Sequence, residues 1–311
     1  MRQTCLDTVY ELAREDERVV FIGSDLGVGT LDVFRDEMPD RFFMEGISEA
    51  NVVTMAAGLA MNGWIPYVNT IAPFFTRRAY EQILLDLCLH RANVRLLGNG
   101  GGMVYAPLGP THMVIEDLAV LRAIPGMTIL APADAEEMRR LMRLTLDYTG
   151  PLYVRFGKGF DPVVTRADEP VSIGKAVEYA SGEDVLLVST GVTLQVVLAA
   201  AEQLREGGVA AGVLHYHTIK PFDRAALLQA AARVKAILTV EEHSIVGGLG
   251  GTVAELLLEA DLPRLPKFRR IGVPDVFPDD YGSQNHLMGR YGISAEQVAE
   301  QAETLLRKEA R

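Results

Sequence analysis

Glu49 stands at the mouth of a run of small and apolar residues, Val52-Val53-Thr54-Met55-Ala56-Ala57-Gly58-Leu59-Ala60. Ser48, just before it, has the side chain to cap a helix, and a carboxylate in a helix's first turn is favoured by the partial positive charge there. Taken alone, Glu49 is sufficiently explained as such a first-turn acid. The run behind it adds a second reading. A helix apolar all round is expected to be buried, so Glu49 would point from a buried element into a protected place, where carboxylates acquire functional proton chemistry. His112 follows Gly109-Pro110-Thr111 and precedes the acidic pair Glu116-Asp117. An isolated loop histidine is usually structural, but this setting between a rigid turn and a helix start makes His112 a candidate functional residue. Gly98-Asn99-Gly100-Gly101-Gly102 is neither a Walker loop nor a dinucleotide fingerprint, because no Gly-Lys-Ser/Thr follows and the spacing differs. A flexible active-site loop and a plain turn both stay open as explanations. His215, His217 and His243 lack metal-ligand spacing with acids or cysteines and read as structural. A Gly-Asp-Gly motif with a downstream Asn, which would hold a metal diphosphate, is absent.

The elements that would position these residues alternate between strand and helix. Val19-Val20-Phe21-Ile22-Gly23, Ile65 to Thr70, Val94 to Leu97, Met127 to Leu130 and Leu152 to Arg155 have the short, β-branched look of buried strands. Helices are predicted from Thr4 to about Asp16, behind Glu49, from Phe74 to about His90, and after Asp134, whose spacing to Glu137 is that of a capping box. The grammar repeats in Val185 to Val188, Gly212 to His215 and Ala236 to Val240, with helices from Thr193, Gly247 and Ser294. The expected fold class is α/β, with two domains that each have a mostly parallel sheet flanked by helices. The expected boundaries are residues 1–165, a linker over 166–182 that is richer in Pro, Asp and Gly, and residues 183–311. Ligands of such sheets bind at the carboxyl ends of strands. Asp25, Phe75, the Gly98–Gly102 loop, His112 and Arg155 all fall at or just after predicted strand ends.

Composition narrows the function classes. Lys plus Arg number 30 against 41 Asp plus Glu, a net charge of −11, and the basic residues are scattered, which argues against nucleic acid as the partner. Hydrophobic residues make up 49% and are spread along the chain, so a sizeable core is expected. Cys5 and Cys88 belong to no CxxC pair and read as buried free thiols suited to a reducing cytoplasm. No apolar run reaches membrane length, and the first residues form no signal core.

Longer motifs then carry a resemblance. Gly46-Ile47-Ser48-Glu49-Ala50-Asn51, Gly109-Pro110-Thr111-His112, Ile124-Pro125-Gly126-Met127, Ala131-Pro132-Ala133-Asp134 and Glu241-Glu242-His243-Ser244-Ile245-Val246-Gly247-Gly248-Leu249-Gly250 resemble the transketolase family, in order and over nearly the whole chain. The chain is similar to the C-terminal (beta) subunit of a split transketolase: the thiamine-diphosphate-binding pyrimidine domain followed by the C-terminal domain. The resemblance implies thiamine diphosphate as cofactor. It further implies an alpha subunit that carries the diphosphate-binding domain and the Mg2+ ligands, none of which are then expected in this chain. Two copies of each chain would form a heterotetramer, with Ala56, Ala57, Gly58 and Ala60 able to serve either a close helix approach between copies or the chain's own core. The implied reaction is transfer of a two-carbon ketol unit from a ketose, phosphorylated or otherwise modified, to an aldose.

The same resemblance implies roles. Glu49 would hydrogen-bond the aminopyrimidine ring and favour the tautomer that activates the cofactor, with a hydrophobic pocket keeping its proton available. Phe75 would stack on the pyrimidine with Arg78 at the pocket edge, and Asp25 and Leu26 would lie near the thiazolium ring. His112 would contact substrate oxygens, and Arg155 would grip the far phosphate of a sugar phosphate. Lys158 is nearby but is not assigned by spacing. The chain departs from the family pattern in three places: Leu108 stands where an aspartate reads hydroxyl stereochemistry, the Gly98–Gly102 loop lacks a histidine, and Arg78 replaces a tyrosine. Arg78 within Arg-Ala-Tyr-Glu-Gln resembles deoxyxylulose-phosphate synthase. A decarboxylase subunit of that kind, or a 2-oxoacid dehydrogenase beta subunit, is therefore the alternative, with a non-enzymatic scaffold as the third class.

Overall fold

Strands that alternate with helices must be covered on both faces, and the burial pattern has that form. The computed structural model describes residues 1–24, 31–159 and 161–307. Its strands are β1 (Val19–Gly23), β2 (Phe42–Met44), β3 (Ile65–Ile71), β4 (Arg95–Asn99), β5 (Thr128–Leu130), β6 (Leu152–Phe156), β7 (Val177–Ala180), β8 (Val185–Ser189), β9 (Ala211–His215), β10 (Thr218–Lys220), β11 (Ala236–Ser244) and β12 (Lys267–Val273). Every residue of β1, β4, β6, β8 and β9 is buried, as expected of strands sandwiched between helix layers.

The strands form a seven-stranded sheet ordered β10-β5-β6-β4-β3-β1-β2 and a five-stranded sheet ordered β12-β11-β8-β9-β7. All pairings are parallel except β10 with β5 and β7 with β9. Two of these strands depart from the expected boundaries. β7 lies within the segment 166–182 anticipated as a linker, yet it extends the second sheet along β9. β10 follows the second-sheet strand β9 in sequence but crosses back to close the edge of the first sheet. The halves are therefore stitched, not merely joined. Glu137 from the first half sits 3.2 Å from His215 Nε2 of the second, both buried.

The helix that begins at Glu49 runs to Met61. It is not buried all round. Val52, Val53, Ala56 and Ala57 pack inward, in the same cluster as Ile22, Val68 and Phe75. Asn51, Thr54, Gly58 and Met61, which fall on one helical stripe, are exposed. Ala56 and Ala57 thus serve this chain's own core. Ser48 occupies the cap position but makes no capping bond; its hydroxyl donates instead to the Glu45 carbonyl at 3.0 Å. Asp134 does cap its helix, accepting from the backbone N–H groups of Glu136 and Glu137, while Glu137 accepts from Ala133 N at 2.7 Å.

Candidate active site

The segment after β3 is wound as a π-helix over Phe74–Arg78. Such turns carry an extra residue and occur frequently at functional sites. This one aims two adjacent guanidinium groups in different directions. Arg78 Nη1 donates to Glu49 Oε2 at 2.8 Å. Its side chain is 48% exposed, whereas Glu49's is 2% exposed. The other carboxylate oxygen, Oε1, makes no hydrogen bond among the described residues. The Arg78 guanidinium also lies over the Phe74 ring, 4.5 Å from its centroid. Phe74 in turn meets the His112 imidazole edge to face at 5.5 Å. Glu49, Arg78, Phe74 and His112 therefore form one contiguous polar–aromatic line at the carboxyl ends of the central strands.

His112 sits in a loop closed at its neck by reciprocal backbone bonds between Gly102 and Val114, both 2.9 Å. Its Nδ1 is 2.9 Å from the Thr111 hydroxyl. Beside this loop a groove of about 630 Å³ opens between Pro110–Glu116 and the segment Pro274–Pro278 of the second half.

Two expected site residues are placed elsewhere. Phe75 is fully buried in the core cluster with Val52, Val68 and Leu96. A ring with no exposed face offers none for stacking, so the aromatic surface at the Glu49 mouth is that of Phe74. Arg155, expected to grip a phosphate, is 6% exposed and already committed. Its Nε lies 3.2 Å from Asp117 Oδ2, and its Nη2 donates to the Glu242 carbonyl at 2.6 Å. Burial pulls the Arg155 pKa down, but the neighbouring Asp117 and Glu242 charges outweigh it and the net direction is upward. Asp25 and Leu26 lie outside the described residues.

Of the two readings left open for Gly98–Gly102, a flexible active-site loop and a plain turn, the structure favours the turn. Gly98 and Asn99 complete β4, and the whole segment is buried. A Cβ on Gly98 would fall 2.4 Å from the Tyr153 ring, one on Gly101 2.4 Å from Arg155, and one on Gly102 2.3 Å from the Glu242 carboxyl. These glycines permit close packing, and Gly102 also needs its φ of +72°.

The groups beneath that turn form a seam between the two halves. Tyr153 donates to Asp117 Oδ2 at 2.8 Å. Glu242 accepts from Met103 N at 2.7 Å and from Gln284 Nε2 at 3.0 Å. Glu241 accepts from Leu249 N and Gly250 N, at 2.7 and 2.8 Å, where the helix Leu249–Leu258 begins. Burial pushes Asp117 up against the pull of Arg155, and it pushes Glu241 and Glu242 up to about 7. Burial drives His243 down to about 3 and His217 down to about 4, so both are neutral at pH 7. His215 pairs with Ser189 and Glu137. Among the described residues no cluster of three or more His, Cys, Asp or Glu could hold a metal ion.

Phe74, Arg77 and Glu242 are the participants that sequence reasoning missed. A signal for Glu242 was present: acids ending a continuous apolar run in a parallel sheet have nowhere to go but inward. Phe74 and Arg77 depend on the π winding, which has no comparable signature.

Comparison with known proteins identifies the two halves of the chain. The pyrimidine-binding domain of transketolase matches residues 1–160, and the transketolase C-terminal domain matches residues 174–298. One of the subunits of the apulose-4-phosphate transketolase of Phocaeicola vulgatus is 38% identical over 309 residues, covering 99% of this chain and 97% of the relative. A 6-deoxy-6-sulfo-D-fructose transketolase subunit from a Clostridium species is 34% identical, covering 97% of this chain and 93% of its own length. The 1-deoxy-D-xylulose-5-phosphate synthase 1 of Geobacter sulfurreducens is 38% identical over 96% of this chain but only 47% of its own length. Among solved structures, a split-gene transketolase in an inactive beta4 tetramer superimposes with a TM-score of 0.88 at 34% identity, covering 98% of this chain and 97% of that one. The chain belongs to the transketolase family, whose pyrimidine-binding and C-terminal domains it spans.

Proposed function

We propose that this chain is the beta subunit of a split transketolase that moves a two-carbon ketol unit from a ketose to an aldose. The observation that carries the reading is Glu49. Its carboxylate is almost fully covered, it has one oxygen held by Arg78 and the other without a hydrogen bond among the described residues, and it opens onto an aromatic ring and a histidine. That donor set fits an aminopyrimidine, which needs one carboxyl oxygen for its ring nitrogen and an apolar face for its ring. Thiamine diphosphate, when bound, supplies the nucleophilic carbon and the electron sink for ketol transfer. The protein's part is to position and to move protons. Glu49 would hold the aminopyrimidine through Oε1, the oxygen that Arg78 does not engage. Arg78 fixes the carboxylate's orientation through Oε2, and Phe74 excludes water from the ring. His112 orients the sugar's oxygens.

The diphosphate and Mg2+ belong, in this reading, to an alpha subunit, because the chain has no Gly-Asp-Gly motif with a downstream Asn. The exposed stripe Asn51, Thr54, Gly58 and Met61, flanked by Leu85 and Leu89, is the face that a second copy covers in a heterotetramer of two copies of each chain. The buried free thiols Cys5 and Cys88 suit a cytoplasmic setting. Sugar phosphates and modified ketoses are the substrate classes.

The test is turnover of a ketose panel by the co-expressed pair with thiamine diphosphate and Mg2+. Transfer between sugars supports the assignment. Arg78 also supports a second reading, a deoxyxylulose-phosphate synthase-like decarboxylase, and pyruvate consumption with carbon dioxide release in the same assay would favour it.

A further inference from the structure

Arg77, which exposes 39% of its side chain, spends its guanidinium on the loop that carries His112. Nη2 donates to the Met113 carbonyl at 2.9 Å. Nη1 donates to the carbonyls of Pro110 and Thr111 at 3.2 and 3.3 Å. Nε donates to Glu116 Oε1 at 2.6 Å, while the second oxygen of Glu116 accepts from Ile115 N at 2.9 Å. One planar group thus ties down the backbone on both sides of His112 and the acid that ends the loop. The loop's own backbone bonds are short-range: Ala106 N, Leu108 N and Gly109 N donate to the Met103, Tyr105 and Ala106 carbonyls at 2.9, 2.8 and 3.0 Å, Gly109 O accepts from His112 N and Met113 N at 3.1 and 3.2 Å, and the Gly102–Val114 pair closes the neck. Arg77 adjoins Arg78 in the same π turn, so one element holds both the carboxylate and the histidine of the site.

We propose that Arg77 is a positioning residue for His112, acting through the loop's carbonyl oxygens to set the distance between the histidine and the Glu49–Arg78 pair. The role rests on the reading of His112 as a substrate contact, and it concerns a side chain whose hydrogen bonds all go to the loop and to Glu116. Geometry explains why arginine is needed. Four acceptors lie around a rigid fork of N–H donors, an arrangement an ammonium on a flexible stem cannot satisfy at once.

The experiment combines hydrogen exchange on the chain with kinetics on the reconstituted complex, using Arg77→Lys and Arg77→Ala. Amide exchange over 109–115 should rise by about tenfold or more in both variants, as expected when charge-assisted bonds are lost. The sugar KM should rise by roughly tenfold while the KM for thiamine diphosphate changes less than about twofold. Added guanidinium chloride at millimolar concentration should restore part of the sugar KM in Arg77→Ala, and sodium chloride should not. Unchanged exchange over 109–115, or cofactor and sugar KM rising together, would overturn the proposal. If the wild-type complex transfers no ketol unit, the proposed function falls and with it the tie to substrate, whereas unchanged exchange with an active wild type removes only Arg77.

Discussion

The two charged regions of this molecule use the same residue types in opposite ways. At the Glu49 mouth, a buried carboxylate meets an arginine that is half in solvent, and one carboxyl oxygen has no hydrogen bond among the described residues. At the seam between the halves, Asp117, Arg155, Glu241, Glu242 and His243 are all buried, and neighbouring backbone, Tyr153 and Gln284 supply their bonds. Both lie where strands end. The difference is access to solvent: the seam also has atoms without a hydrogen bond among the described residues, Asp117 Oδ1 and Arg155 Nε, but they are sealed inside. A charge sealed inside can only hold the protein together, whereas a charge with an open oxygen at a solvent edge can act on something else. Breaking a buried pair leaves the other charge stranded at a cost of several kcal/mol, whereas an exposed pair is worth little to the fold.

Glu49→Gln in the reconstituted complex tests this difference most severely. Turnover should fall by about a thousandfold or more, the scale of removing a proton-transfer group, with thermal stability unchanged within about 1 kcal/mol. Near-normal turnover would remove Glu49 from the site. Next comes the seam. Arg155→Met strands Asp117 and should destabilise the chain by about 3–5 kcal/mol in chemical denaturation. A stability loss below about 1 kcal/mol would mean that Arg155 is available for a ligand after all.

The seam also predicts a pH dependence. Glu242 titrates near 7 in the folded chain, above the ordinary value of 4.5, because burial disfavours its charge. The folded state then binds the proton more tightly than the unfolded state does. Its contribution is fully present below about pH 4.5 and is lost as pH rises through about 7. Glu242→Gln removes the titration, so its stability relative to the wild type should improve across that window, by on the order of 3 kcal/mol at most. His217 and His243, with folded pKa values of about 4 and about 3, contribute in the other direction. Their stabilisation is present above pH 6.5 and declines as pH falls toward those values, and both proteins share it. Melting curves of the pair between pH 5 and pH 8 read the difference; a constant offset would show that Glu242 does not titrate there.

The strands carrying these regions were legible because buried parallel strands write continuous apolar runs, as β1 and β8 do. β2 and β10 were not: each has three residues, and β10 finds its partner in the other half of the chain, a register that no local pattern contains. The site divides in a similar way. Glu49 and His112 could be proposed from residue type and setting, and Arg78 through the family resemblance alone. Which of the adjacent phenylalanines faces the carboxylate could not. In an α-helix, residues three and four apart share a face. The wider π winding of Phe74–Arg78 keeps the fourth neighbour in line and rotates the third away, so Phe74 meets Arg78 and Phe75 turns into the core. The internal partners of Arg155 were hidden for another reason: a strand-end arginine looks the same whether its partner is a phosphate or an aspartate from an earlier helix.

A small predicted effect on stability is the most telling about the open region. Arg78→Met removes the guanidinium from Glu49 Oε2 and from the Phe74 face. Because 48% of the Arg78 side chain is exposed, solvent already screens much of the pair, and Glu49 retains the favourable field of its helix's first turn. The fold should lose no more than about 1 kcal/mol. The site should lose more than the fold. With its orienting partner gone, the carboxylate is free to rotate, and the KM for thiamine diphosphate should rise about tenfold, while the equivalent change at Arg155 acts on stability first. If Arg78→Met instead unfolded the chain as readily as Arg155→Met, the two regions would be alike, and openness of an ion pair would not separate an acting charge from a holding one.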